Sequence, residues 1–355
     1  MSVQIEDPDT LDAEPAPKPT RGRKPSSPLM GFWRTPKSRV GLIIVGFFTV
    51  LAVIGPMIAP YDPNALGIDA LQPPSWHHLF GTTQTGQDVF SQFLVGSRNV
   101  MVVGLITGVI ATAIALLVGI NAAMLPGIGD ELLSGLANIF LVIPALPLII
   151  IIAGFFPNGA GWLTVAIVIS VTGWAWGSRV IRAQTLSLRN RDFVQAARAT
   201  GKSRFSLIVS EILPNLVPII AGGFVGTVNF AVLSQVSLSF IGIGSPTDWN
   251  WGTILFWAQG QQALSQGAWW WFVPAGLGIA ILGMGLTLIT LGIDEFVNPR
   301  LRSSNRSTKA LAKIGVSARV GYTPVLAAAA VPPRTTTSAP RTRSAGSAPI
   351  TAAGR

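Results

Sequence analysis

Between Arg39 and Asp62, Arg98 and Asp130, Glu131 and Arg179, Glu211 and Asp248, and Asp248 and Asp294, the sequence contains no Asp, Glu, Lys or Arg. Water-soluble folds do not leave gaps of that length, because their elements need a polar face toward solvent. About 20 apolar residues, each rising about 1.5 Å, cross a hydrocarbon core of about 30 Å. The gaps therefore call for an all-α polytopic membrane protein. Composition agrees, with 49% of the 355 residues hydrophobic and only 11% charged.

Gaps are not yet helices. The one from 131 to 179 is too long for a single span, and "FFPNGAG" (155 to 161) breaks it with proline, asparagine and glycines. The run "WNWGTILFWAQGQQALSQGAWWW" is a poor span, whereas Phe272 to Ile293 is a good one. About six spans are expected, near 40–59, 99–120, 132–154, 161–178, 215–240 and 272–293, inside a membrane domain covering 39–298. Residues 1–38 form a largely disordered segment in this reading. Residues 299–355 form a basic tail rich in Ser, Thr, Ala and Pro, also of disordered composition. Residues 1–30 have no short apolar leader core, so the first apolar run is expected to remain as a helix.

Charge distribution orients the spans. Of 25 Lys and Arg, seven precede the first span, one (Arg98) lies between the first two, seven lie between the fourth and fifth, and ten follow the sixth. Basic residues near helix ends stay in the cytoplasm. Both termini and the 179–214 loop are thus expected inside a plasma (inner) membrane, with the 60–98 and 241–271 loops outside. The net charge of +10 does not argue for nucleic acid, because no aromatic platform is interleaved with the basic tail. Membrane lipid is its simpler neighbour.

The 179–214 loop contains "AARATGKS" (196 to 203), whose last three letters end a phosphate-binding loop. Such a loop opens with glycine and follows a buried strand. Here the opening position is Ala196 and "RNRDFVQ" lies upstream. The internal loop, at about 35 residues, is too short for a nucleotide domain. A helix accounts for the stretch better: Asp192 as N-cap with Gln195 reaching back, Phe193, Ala196, Ala197 and Thr200 on one face, and Gly201 as a left-handed stop. Small residues on that face allow another protein to approach closely.

With "QAARATG" followed by "ILP" (Ile212, Leu213, Pro214), the stretch resembles the EAA loop of ABC-transporter permeases. Gln195 stands in place of the family's acidic residue, and Glu211 in place of an apolar one. "HLFGTTQTGQDVFSQFLVGSRNVMVVG" (78 to 104), "LSFIGIG", "WNWGTIL" and "DEFVNPRLR" are similar to C-type permeases of the dipeptide, oligopeptide and nickel subclass over about residues 33–302. In that outer-loop motif Gly81, Thr82, Gly86, Asp88 and Arg98 match, while Thr83 and Gln87 replace an acid and an arginine.

The resemblance implies a type I ABC importer permease. The 192–201 helix would couple to a separate ATPase subunit, and ATP and magnesium would be bound by partners, with no cofactor or metal on this chain. The implied partners are a homologous B-type permease, two ATPase subunits and an extracytoplasmic substrate-binding protein. Peptides are the commonest cargo of the subclass, with oligosaccharides or nickel as alternatives. A channel-like protein outside this family is the other class.

The remaining features are less pointed. Without cysteine there is no thiol catalysis and no Cys-based metal site, and no Ser/His/Asp set or carboxylate pair suggests an enzyme. Trp249, Trp251, Trp257, Trp269, Trp270 and Trp271 read as interfacial anchors, with stacking on sugar rings as the sharper option. Pro144 and Pro147 are expected to kink the third span and line a pore. Gly222, Gly223 and Gly226, with Gly276, Gly278, Gly283 and Gly285, are expected to pack helices closely, within the chain or across a subunit interface. His77 and His78 read as a polar loop without acidic partners.

Overall fold

The computed structural model describes residues 35–156 and 161–297. The expected segment 1–38, apart from its last four residues, and the basic tail 299–355 lie outside these, as do Pro157 and Asn158 of the expected break. Among the described residues the only β pairing is an isolated bridge between Thr82 and Asp88. Everything else regular is helical: α1 Pro36–Ile58, α2 Val89–Met124, α3 Ile128–Val142, α4 Ala145–Gly154, α5 Trp162–Arg189, α6 Asp192–Ala199, α7 Arg204–Leu207, α8 Leu213–Phe240, α9 Trp251–Gly260 and α10 Trp269–Val297. Five are long and apolar enough to cross a membrane, or six if the α3–α4 pair counts as one span.

The second helix begins ten residues before its expected start. Asp88 caps it, accepting the Ser91 backbone N–H at 2.8 Å. This ends one loop and lets the helix run for 36 residues. It packs along α5, where Gly177 leaves room for the Ala115 methyl and Thr107 Oγ1 donates to the Ala166 carbonyl at 3.1 Å. The first helix lies on α10 and α2, burying Phe48 and Ala52 while Phe47, Val50 and Met57 stay exposed. An apolar outer face of that kind suits lipid, in which it costs nothing.

The third expected span is not one helix. α3 and α4 meet at 89°. Pro144 disfavours a helical conformation at Ile143, and both residues are extended, with ψ of 127° and 124°. The expected second kink at Pro147 is absent: that residue lies in the first turn of α4, where a missing N–H breaks no helical bond.

The tryptophans also depart from expectation. Trp249, Trp251 and Trp271 are buried in the largest core cluster, together with Phe48 and Leu282. Trp270 donates from Nε1 to the Thr82 carbonyl at 3.2 Å. Only Trp269 of the six is largely exposed. These rings hold α9 and α10 under the 59–88 loop, because Asn250 forms a capping box with Thr253 that starts α9 beneath it. At the other end of the bundle a second cluster gathers Ala115, Trp174, Ile181, Ile212 and Leu216.

Candidate functional site

The polar loop after α5 is built around one buried side chain. Val194 is fully buried, and it pins α6 to the bundle while Phe193, Ala196 and Thr200 face outward, Phe193 at 42% exposure. Ala197 is half-buried at the edge of that face. The N-terminus differs from the sequence reading: Arg191, with extended backbone, is the N-cap, and Asp192 is the first helical residue. There its charge complements the helix dipole. Gln195 does not reach the cap backbone; its Nε2 donates to the Arg189 carbonyl at 3.2 Å.

Gly201 has φ of +81°. Its N–H donates to Arg198 O at 3.0 Å and that of Lys202 to Ala197 O at 3.4 Å, the paired bonds of a Schellman stop. Ser203 then caps α7, accepting from the Ser206 N–H at 3.3 Å. Gly201, Lys202 and Ser203 thus end one helix and start the next, and the backbone donors of Gly201 and Lys202 are used in the stop. The Lys202 side chain turns to Glu211, 2.6 Å away.

From Ile208 to Ile212 the chain widens into a π turn before α8. Pro214 has no N–H for the Ser210 carbonyl, and a one-residue widening is a common response to a lost rung. Ile212 is fully buried, Leu213 half-buried and Pro214 exposed. The residues singled out from sequence in this loop therefore fall into an outward set (Asp192, Phe193, Gln195, Ala196, Pro214), an edge set (Ala197, Leu213) and an inner anchor (Ile212). Val194 went unnoticed, although it is the one β-branched residue of the helix.

A groove opens at the helix break. It has a volume of about 390 Å³ and is lined by Phe140, Pro144, Trp176, Gly223, Gly226 and Phe230, among others. No lining residue carries a charge. Pro144 belongs to it and Pro147 does not. Gly223 and Gly226 seat no helix of this chain, since a Cβ on either would meet nothing within 4 Å. They form the groove floor. Of the same expected set, Gly278 packs closely against Phe93 and Gly285 against Ile44, as read from the sequence.

At the other end, Gly81, Thr82, Gly86 and Asp88 form one knot. Thr82 Oγ1 donates to Asp69 O at 2.5 Å and accepts from Gln72 N at 2.8 Å. Gly86 has φ of +73°, and a Cβ there would collide with the Gly67 carbonyl, so a side chain is excluded on two grounds. Asp88 is buried, and His78 Nδ1 lies 2.9 Å from its Oδ1. The expectation that His78 lacks an acidic partner is thereby corrected. Thr83 accepts the Gln87 N–H at 3.0 Å, and Gln87 accepts from Gln92 Nε2 at 3.1 Å, so the replaced acid and arginine give way to neutral bonds. Arg98 stands apart, exposed beside a depression shared with Asn64, Asp248 and Trp249.

Residues 87–303 match the family model described as binding-protein-dependent transport system inner membrane component, and residues 31–74 match the N-terminal TM domain of oligopeptide transport permease C. The chain is similar to the oligopeptide transport system permease protein OppC of Bacillus subtilis (strain 168), 31% identical over 265 residues that cover 74% of this chain and 85% of that protein. It is 33% identical over 256 residues to the protein of the same name from Mycobacterium tuberculosis (strain ATCC 25618 / H37Rv), covering 72% and 87%.

Proposed function

The chain belongs to the family of binding-protein-dependent transport system inner membrane components, and on that premise we propose that it is the permease subunit of an ATP-driven importer carrying di- or oligopeptides. The observation that carries the coupling role is the α6 helix, held from within by Val194 and presenting Phe193, Ala196 and Thr200 outward. A helix anchored by one residue, stopped by a left-handed glycine and flanked by Arg198 and Lys202 is suited to a groove on an ATPase subunit. Two such subunits, a second six-span permease and an external binding protein complete the transporter. The concentration of Lys and Arg in 179–214 and at both chain ends favours cytoplasmic placement of those parts.

The uncharged groove at the α3–α4 break supports peptide cargo over nickel. A bare divalent cation requires oxygen or nitrogen ligands in place of its water, and among the side chains lining the groove only the Thr172 and Thr227 hydroxyls offer oxygen, with no carboxylate or imidazole. Peptide side chains of many kinds tolerate such walls. A groove facing a second permease would form half of a shared pathway, opened and closed as the two states exchange.

Purification of the tagged chain in mild detergent, with mass spectrometry of stoichiometric companions, tests the assembly. Recovery of ATPase subunits and a second permease supports the reading, and ATP-dependent uptake of labelled peptides by the reconstituted complex supports the cargo. Isolation of the chain alone across several detergents overturns the coupling role.

A further inference from the structure

The α6 helix and the groove are separate features, and something must join them. We propose that the Asp130–Arg182 ion pair is that joint, making both positioning residues for transport. The proposal rests on the reading above that α6 moves with an ATPase partner.

The geometry is that of a rigid link. Arg182 donates from Nε to Asp130 Oδ1 at 2.7 Å and from an Nη to Oδ2 at 2.6 Å. A two-pronged contact between planar groups sets angle as well as distance, which a lysine cannot do. Ser134 Oγ donates to Asp130 at 2.8 Å and holds the carboxylate on α3. Both charged side chains are less than one-third exposed.

From Arg182, α5 continues for about two turns to Arg189. That residue donates to the Ala123 carbonyl at 2.5 Å, and its own carbonyl accepts from Gln195 of α6. A displacement of α6 thus reaches Arg189 through the Gln195 bond and the short Asn190–Arg191 turn, and from there Arg182 through unbroken helix. On the far side of the pair, α3 leads from Asp130 to Val142, and the next two residues, Ile143 and Pro144, line the groove.

What makes α3 responsive is how little else holds it. Ala137 is its only buried residue, and its clearest apolar contact is Phe140 against Trp174, ring centroids 5.4 Å apart. A helix with one buried residue, separated from α4 by an 89° break, is placed to follow that ion pair. Movement of α6 then tilts α3 and changes the width of the groove. Sequence reading missed the pair because Asp130 and Arg182 entered it only as charges flanking spans.

The test uses the full transporter in proteoliposomes, with Asp130→Asn, Arg182→Gln and the exchange Asp130→Arg with Arg182→Asp. Each single variant is expected to retain partner subunits and ATP hydrolysis while peptide uptake per ATP falls about fivefold or more. The exchange is expected to restore most of the loss. Because the chain has no native cysteine, Leu132→Cys on α3 and Leu233→Cys on α8 can carry spin labels, whose nucleotide-dependent separation should change in the parent and stay constant with Asp130→Asn. Unchanged uptake per ATP in both single variants overturns the joint. So does a loss of uptake matched by equal losses of hydrolysis and of thermal stability, the sign of a staple for the fold. Failure of the importer reading looks different: the parent itself would show no ATP-dependent uptake, and the joint would fall with it.

Discussion

Phe93 on α2 and Trp251 on α9 stack face to face, centroids 5.5 Å apart and planes 15° from parallel. Phe48 of α1 meets the same indole edge-on at 5.3 Å. One ring therefore ties three helices together, and it does so because the Asn250 capping box points Trp251 into the bundle.

Replacement of Trp251 by Ala should be the most damaging change at that end. A fully buried indole removed from a packed core costs on the order of 3–5 kcal/mol. The expected outcome is a large fall in the melting temperature of the detergent-solubilised protein. Trp269→Ala, at an exposed position, should leave it nearly unchanged, and equal effects would contradict the packing described.

Asp88 caps α2 and faces His78. Asp88→Ala removes a cap worth about 1–2 kcal/mol and leaves a buried loop without its acceptor. Faster protease cleavage within 59–88 is expected, with membrane insertion retained. His78→Gln, which can still donate to Asp88, should be milder.

Gly201→Asp forces a Cβ into a left-handed conformation, at a local cost of about 1–2 kcal/mol, and adds a negative charge at the end of α6. Ala197→Arg places bulk at the edge of its outward face. Both chains are expected to insert normally and to lose ATP-dependent uptake together with retention of the ATPase subunits on purification. Normal uptake by both would contradict a coupling role for α6.

Gly226→Phe should discriminate the groove from a packing seam. A Cβ there meets nothing within 4 Å, so the folded chain should keep its melting temperature and its partners while the groove narrows. Uptake of large peptides should fall about tenfold or more, a loss of about 1.4 kcal/mol in transport free energy, with dipeptides less affected. A chain that no longer accumulates in the membrane would show instead that the site is a helix seat.

Much of the membrane architecture was legible in the residues. The charge-free gaps, the Gly201 stop and the break near Pro144 are local signals: a helix in hydrocarbon must satisfy its own backbone, and proline or glycine alters one chain at one place. Less legible was which of two prolines bends the helix. Pro144 and Pro147 look alike in "LVIPALPLII", and only the position of Pro147 within the first turn of α4 makes it harmless. The N-cap at Arg191 rather than Asp192 was similarly hidden, since Asp is a favoured capping residue and Arg191 takes the position through its backbone alone, with no side-chain cap bond.

By itself the sequence determined that the chain crosses a membrane as helices, roughly where most of those helices lie, and that the cationic loop contains a short helix. These follow from hydrophobicity and backbone chemistry, which act over one helix at a time. The tertiary structure alone decided that Trp251 is a core residue and not an anchor, that Gly226 floors a groove, that Val194 holds α6, and that Asp130 meets Arg182 across 52 residues. Each depends on which surface a distant segment brings alongside, and burial or pairing of a side chain is a property of that neighbour as much as of the residue.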